Sequence, residues 1–148
     1  MTNKDYFDIS GKKAIVAGGA GDLGTVIVQA LNDAGAQVVV LDRSRDLQDW
    51  VQRIKKPENP AVIGIQVDLK DRGSLRLGFE KAMETLAGLD LLVNCQGIQR
   101  RHPPEDFPIA DWDEIIEINL TSVFELCQLA GRKMIKSGST KSSTFSHH

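Results

Sequence analysis

A glycine-rich turn between an apolar strand and an amphipathic helix constrains this chain more than any other feature. Gly19-Ala20-Gly21-Asp22-Leu23-Gly24 follows the short apolar run Lys13-Ala14-Ile15-Val16, and Leu23, Val26, Ile27, Ala30, Leu31 and Ala34 then recur at helical spacing. Such a turn aims backbone N–H groups and the positive end of the helix at one point, which suits a pyrophosphate. Gly35 stands where the helix needs a left-handed C-terminal residue, and Val38, Val39, Val40 and Leu41 form an unbroken run suited to a parallel strand covered on both faces. This second strand ends at Asp42, 18 residues after Gly24, where a carboxylate accepts both ribose hydroxyls of NAD and repels the 2′-phosphate of NADP. The competing reading is a plain tight turn with Asp42 opening a solvated loop, and Arg43 beside it would favour NADP over NAD.

The alternation continues. A polar helix over 47–54 leads through Pro57-Glu58-Asn59-Pro60 to a third strand over 61–67. Leu75, Phe79, Ala82, Met83 and Leu86 form the next helical stripe, and a fourth strand runs over 89–93. After the loop 97–108, Ile116, Leu120, Val123, Cys127, Ala130 and Met134 predict one long amphipathic helix starting near Asp111. Buried apolar strands alternating with helices imply an α/β chain, a three-layer Rossmann fold with a doubly wound parallel sheet. Right-handed crossovers make the strand order 3-2-1-4, the N-terminal half of such a fold with its fourth strand at an edge. The expected organisation is one domain over 1–136 and a serine-rich disordered tail over 137–148.

With 148 residues, the chain is long enough for one core. Its formal net charge of -2 gives no long-range attraction to nucleic acid or to an anionic membrane. The N-terminal residues 1–8 are polar and no run approaches the length of a membrane span, so the expected location is cytoplasmic, with neither nucleic acid nor membrane as partner. Cys95 and Cys127 fit no metal spacing, no metal is expected, and both read as reduced, buried thiols.

Two further positions stand out. Asp68 ends the third strand, where with Leu69 it faces an adenine or else caps the following helix. Asn119, placed mid-helix and inward by its phase beside Leu120 and Val123, needs hydrogen-bond partners, and a water, a neighbouring backbone or the core itself would supply them.

In order and approximate spacing these residues resemble the short-chain dehydrogenase/reductase family: Gly18, Gly21 and Gly24 with Asp42, Asp68-Leu69, Leu92-Val93-Asn94-Cys95-Gln96-Gly97 and Ile118-Asn119-Leu120. The stretch Gly97-Ile98-Gln99-Arg100-Arg101-His102-Pro103, with Phe107 and Asp111-Trp112-Asp113-Glu114, is similar to the branch containing 2-deoxy-gluconate 3-dehydrogenase and gluconate 5-dehydrogenase. The resemblance implies a homo-oligomeric, NAD-dependent oxidoreductase for a sugar acid, with Gly18, Gly19, Gly21, Leu23, Gly24, Asp42, Asp68, Leu69, Asn94 and Gly97 around the cofactor. It makes Asn119 the catalytic position that anchors a water relay. Arg100, Arg101 and His102 would then meet the substrate carboxylate at the rim, or else form a solvated loop or a subunit contact.

The chain departs from the family pattern in several places. Ala17 replaces a Thr, Cys95-Gln96 replace Asn-Ala, and Asp22 stands where many members have a glycine, bringing a carboxylate close to the pyrophosphate. Read as Gly18-x-x-Gly21-x-x-Gly24, the turn also suits extended, epimerase-like members, against which the stretch from Asn94 to Pro103 speaks. Tyr6 is the only tyrosine and no Tyr-x-x-x-Lys pair follows, so the family's proton-transfer residues are not in this sequence. Lys141-Ser142-Ser143-Thr144-Phe145-Ser146 stands where the family has a strand of the type Lys-Ile-Ile-Asn-Ile. TCN codons for the two serines, read two bases later, permit that strand, which implies a frameshifted descendant of a longer dehydrogenase; truncation ahead of a tag ending in His147-His148 is the alternative. The resulting expectation is the cofactor-binding half of such an enzyme. The rival is a catalytically inactive nucleotide-binding fragment that self-associates or pairs with a full-length subunit; a third reading, from the uncovered edge strand, is a misfolding fragment with no role.

Overall fold

The computed structural model describes residues 7–138 and the backbone of Ser143 and Thr144. Strands β1 (Lys13–Ala17), β2 (Gln37–Asp42), β3 (Ile63–Gln66), β4 (Leu91–Asn94) and β5 (Ser143–Thr144) form one sheet in the order β3-β2-β1-β4-β5. All the pairings are parallel, with Ile15 opposite both Val39 and Leu92. The four-strand order read from the sequence is therefore present. The fifth strand corrects one expectation: Ser143 and Thr144 pair with Val93 and Asn94, so that end of β4 is not an edge. Ser137, expected to open the tail, closes the last helix instead. The rest of that predicted tail, save Gly138 and the backbone of Ser143 and Thr144, lies outside the described residues, as do residues 1–6.

Helices α1 (Asp22–Asp33) and α2 (Leu47–Ile54) cover one face of the sheet. On the other lie α3 (Arg72–Leu86) and a long helical stretch made of α4 (Ile109–Ile116), a π turn (Glu117–Thr121) and α5 (Ser122–Ser137). Two cores follow from the two-residue period of the strands. Ala14, Val16, Val38, Val40 and Val93 pack against Val28, Trp50 and Val51; Ile15, Ala17, Val39, Leu41 and Leu92 pack against Leu75, Phe79, Leu126 and Ala130. Across the first face the Trp50 indole N–H donates to Thr25 Oγ1 at 3.1 Å, joining α1 to α2.

Helix ends follow local chemistry. Gly35 has φ +88° after α1, as its position predicted. Asp71 caps α3 by accepting from the Ser74 amide at 2.8 Å. In α1 the inward stripe is Gly24, Val28 and Asn32, while Val26, counted inward from the sequence, is exposed.

The long helix departs most from expectation. It starts at Ile109, close to the expected Asp111, but a π turn interrupts it, with the Ser122 amide donating to the Glu117 carbonyl. The Ser122 hydroxyl donates to the Ile118 carbonyl at 2.6 Å, taking the acceptor that an ordinary turn would give to the Ser122 amide. The extra residue shifts the phase. Ile118, Ser122, Leu126, Ala130 and Met134 face inward, and Leu120, expected inside, is 61% exposed. Arg76 pairs with Glu125, and Lys133 with Glu80 at 3.7 Å, across α3 and α5.

Phe79 is the largest fully buried side chain and sits where α3 meets the sheet. Phe79→Ala is expected to cost about 3–5 kcal/mol in urea denaturation, with the slope of the transition unchanged.

Candidate dinucleotide-binding site

Backbone crowding at the carboxyl end of β1 builds the site. Gly18 turns at φ +71°, and a Cβ there would meet the Gln96 nitrogen at 2.6 Å. A Cβ on Gly24 would lie 2.3 Å from the Gly18 carbonyl oxygen. One Cβ on Gly19 would strike Val40 at 2.7 Å, whereas Gly21 has nothing nearer than 3.6 Å. Gly18 and Gly24 thus let three segments of backbone close up and Gly19 makes room for the Val40 and Val28 side chains, while Gly21 keeps the mouth of the turn open. Gly21 is also the N-cap of α1 and supplies no side-chain cap, so the first N–H groups of that helix face outward without a side-chain partner.

Above this turn lies a cleft of about 370 Å³. Gly18, Ala20 and Gly21 border it at β1, Asp42 and Ser44 at β2, Val67, Asp68 and Leu69 after β3, and Cys95, Gln96, Gly97 and Ile98 after β4, with Ile118 closing the far side. Both oxygens of the Asp42 carboxylate are positioned by backbone. Ala20 N–H donates to Oδ2 at 3.0 Å and Ser44 N–H to Oδ1 at 2.9 Å, so the carboxylate is aimed before any ligand arrives. Asp68 accepts from the Lys70 amide at 3.1 Å and borders the cleft, while the capping of α3 falls to Asp71. Arg43, Arg45 and Lys70 flank the Asp42 end, in a depression shared with Ser44, Gln66 and Ser74.

Not every residue expected at the cofactor lines this cleft. Gly19 and Gly24 are packed within the turn itself, Leu23 is partly exposed on the first turn of α1, and Asn94 is 1% exposed, none of them bordering the cleft. Ala20, Ser44, Val67, Cys95, Gln96, Ile98 and Ile118 were not singled out as cleft residues from the sequence. Small and apolar wall residues carry no chemical signature; Gln96 carried one, as a departure from the family's alanine.

Asn119 corrects an expectation. It is exposed rather than inward, because the π turn rotates it out of the core stripe. There it grips the backbone of the loop after β4: the Ile98 amide donates to Asn119 Oδ1 at 2.8 Å, and Asn119 Nδ2 donates to the Ile98 carbonyl at 2.9 Å. The neighbouring-backbone alternative is the one present. Further along the loop, Arg100 pairs with Glu114 at 2.9 Å and His102 Nε2 meets Asp111 Oδ2 at 2.6 Å, with Phe107 edge-on to the imidazole. Two of the three side chains proposed for a substrate carboxylate are therefore engaged with α4. Arg101 is exposed and makes no hydrogen bond or ion pair among the described residues.

The residues fit a dinucleotide in three respects: uncapped helix N–H groups, a preset carboxylate one strand away, and the apolar Val67 and Leu69 on the cleft wall. Asp22 opposes the fit, because it puts an exposed carboxylate in the first turn of α1. Among the described residues, no group of His, Cys, Asp and Glu side chains is placed to hold a metal ion, and no helix is long and apolar enough to cross a membrane.

A family profile described as short chain dehydrogenase matches residues 12–141. The chain is 31% identical over 141 residues to a gluconate 5-dehydrogenase of Gluconobacter oxydans, an alignment that takes in 95% of this chain and 55% of that protein. It is 33% identical over 137 residues to a 2-dehydro-3-deoxy-D-gluconate 5-dehydrogenase of Bacillus subtilis, covering 93% of this chain and 53% of that one. Among solved structures, a short-chain dehydrogenase/reductase from Serratia marcescens superposes with a TM-score of 0.79 at 29% identity, over 85% of this chain and 52% of its own. The chain spans about half the length of the curated relatives it matches.

Asn119→Ala removes both bonds to Ile98, worth roughly 1 kcal/mol each, and is expected to speed amide exchange at Ile98 about tenfold while leaving the β1 amides unchanged. Cys95 is 6% exposed, and burial raises its thiol above the ordinary range. A water-soluble thiol reagent at neutral pH should therefore modify the half-buried Cys127 first, with Cys95 reacting only as the fold opens, as peptide mass spectrometry would resolve.

Proposed function

The chain belongs to the short-chain dehydrogenase family, and on that premise we propose that it is the NAD-binding half of an oxidoreductase that interconverts a secondary alcohol and a ketone on a gluconate-type sugar acid in the cytoplasm. The single observation that carries the reading is the cleft across the carboxyl ends of β3, β2, β1 and β4, with the uncapped N-terminus of α1 at its centre and the oriented carboxylate of Asp42 beside it. Relatives whose names specify gluconate chemistry support the substrate class.

Each wall has a task. The amides at the start of α1 hold the pyrophosphate, Asp42 accepts from the adenosine ribose hydroxyls, and Val67 and Leu69 enclose the adenine. Bound there, a nicotinamide dinucleotide supplies the hydride donor or acceptor. Asn119 fixes the backbone at Ile98 and so sets the floor on which the reacting end rests. A sugar-acid carboxylate would approach along the rim toward Arg101, while Arg100 and His102, clipped to α4, hold that rim in shape.

The described lining of this cleft contains no Tyr, His or Lys to carry the proton that accompanies the hydride. The second reading, a nucleotide-binding piece that assembles with another subunit, draws on this and on Trp112, Leu120 and Phe124, large apolar side chains exposed along α4 and its continuation. An NADP preference draws on Arg43, Arg45 and Lys70 beside the ribose end.

Titration calorimetry on the folded chain is expected to show NAD binding in preference to NADP, with no oxidation of gluconate in the same sample. Asp22→Gly removes a like charge beside the pyrophosphate and should tighten NAD about threefold to tenfold, allowing for its solvent exposure. Folded protein that takes up neither dinucleotide would sink the cofactor assignment, and tighter binding of NADP would sink the choice of NAD.

A further inference from the structure

Glu114, on α4, holds two separate loops at once. Its side chain is 21% exposed, with Oε2 lying 2.9 Å from Arg100 Nη2 and Oε1 lying 3.6 Å from Lys70 Nζ, so each oxygen faces a different cation. Lys70 belongs to the loop after β3 and Arg100 to the loop after β4. Because β2 and β1 stand between those two strands, no ladder of the sheet sets one loop against the other. A single carboxylate supplies a tie to each.

Both cations pass that constraint to the cleft. Lys70 N–H donates to Asp68 Oδ1 at 3.1 Å and Asp71 N–H to the Asp68 carbonyl at 3.1 Å, so residues 68–71 form one tight turn that carries Asp68 and Leu69 on the cleft wall. Arg100 Nη1 donates to the Gln99 carbonyl at 3.2 Å, which ties the guanidinium to its own loop, two residues beyond the wall residue Ile98. One turn further along the helix from Glu114, Ile118 closes the far side of the same cleft. A lone exposed ion pair is worth little, because water and salt screen it and two long side chains lose their freedom. Glu114 differs in being mostly out of water, in meeting two cations, and in making a charge-assisted bond to a guanidinium. Resting on the dinucleotide reading above, we propose that Glu114 is a positioning residue for the cofactor: it sets the relative position of the loops that carry Leu69 and Ile98, and with it the fit of the cleft to a molecule that reaches from β3 to β4.

The sign of the effect separates positioning from charge. Glu114→Gln removes one negative charge, which by itself would tighten an anionic dinucleotide, whereas loosened loops weaken it. Asp113→Asn makes the same change of charge one residue away, on an exposed side chain with no ion pair among the described residues. The measurements are NAD affinity by titration calorimetry, amide exchange at Lys70 and Ile98, and thermal melting, on wild type, Glu114→Gln, Glu114→Ala and Asp113→Asn. Both Glu114 variants are expected to bind NAD about threefold to tenfold more weakly, the size of one partly exposed charge-assisted contact, and to exchange faster at both amides, while Asp113→Asn does neither. The alanine variant guards against a glutamine that keeps a bond to Arg100. Unchanged or tighter NAD binding by both Glu114 variants overturns the proposal, as does faster exchange in only one of the two loops. A lowered melting temperature with faster exchange throughout α4 also overturns it, in favour of a residue that merely stabilises its helix. Wild type that takes up no NAD overturns the dinucleotide reading and this one with it, an outcome distinct from equal binding by wild type and variants.

Discussion

Three stretches of backbone meet at van der Waals range at the end of β1, and much of the rest follows from that contact. Side chains at Gly18 or Gly24 would force the turn away from the loop after β4 or lift α1 off the sheet. Without them, the start of α1 sits directly over the strand ends, and its unpaired amides converge on the same volume that Asp42 faces. The Asp42 carboxylate then ties β2 to the turn through the Ala20 amide. The cleft is thus shaped by where side chains are missing as much as by where they are present.

The long helix shows a second kind of control. One serine hydroxyl takes the Ile118 carbonyl, the helix gains a residue in that turn, and every side chain before the turn is rotated relative to those after it. Because of that rotation, Asn119 points at the loop rather than into the core, while Ile118 still closes the cleft. The same serine accepts a hydrogen bond from Gln96 Nε2 at 3.2 Å. A side chain that does not itself line the cleft therefore holds two residues that do.

How far the sequence alone reaches can be judged at these residues. Val38 through Leu41 leave little choice but a buried parallel strand, and the glycines before Leu23 leave little choice but a tight turn, so the four-strand order and the place of Asp42 at the end of β2 were legible. Periodicity failed at Leu120, because a 3.6-residue repeat contains nothing about a hydroxyl competing for a carbonyl. It failed in part along α1, where Asn32 rather than Val26 faces inward and donates to the Pro60 carbonyl at 2.8 Å. Charge reading placed Arg100 and His102 at the rim but could not see that Glu114 and Asp111, one helix away in space, would engage them. Serines and threonines after α5 gave no strand signal, yet the backbone of Ser143 and Thr144 extends the sheet.

The bond between Trp50 and Thr25 has an optical consequence. Trp50 is enclosed between α1 and α2 and its indole N–H is engaged, whereas Trp112 lies 55% exposed on α4 at the opposite side of the sheet. The two indoles therefore emit from different surroundings, one dry and one wet. A blue-shifted component reports the closure of the α1–α2 layer, and a quenchable red one reports whatever comes to cover α4, so native emission carries two structural signals in a single spectrum.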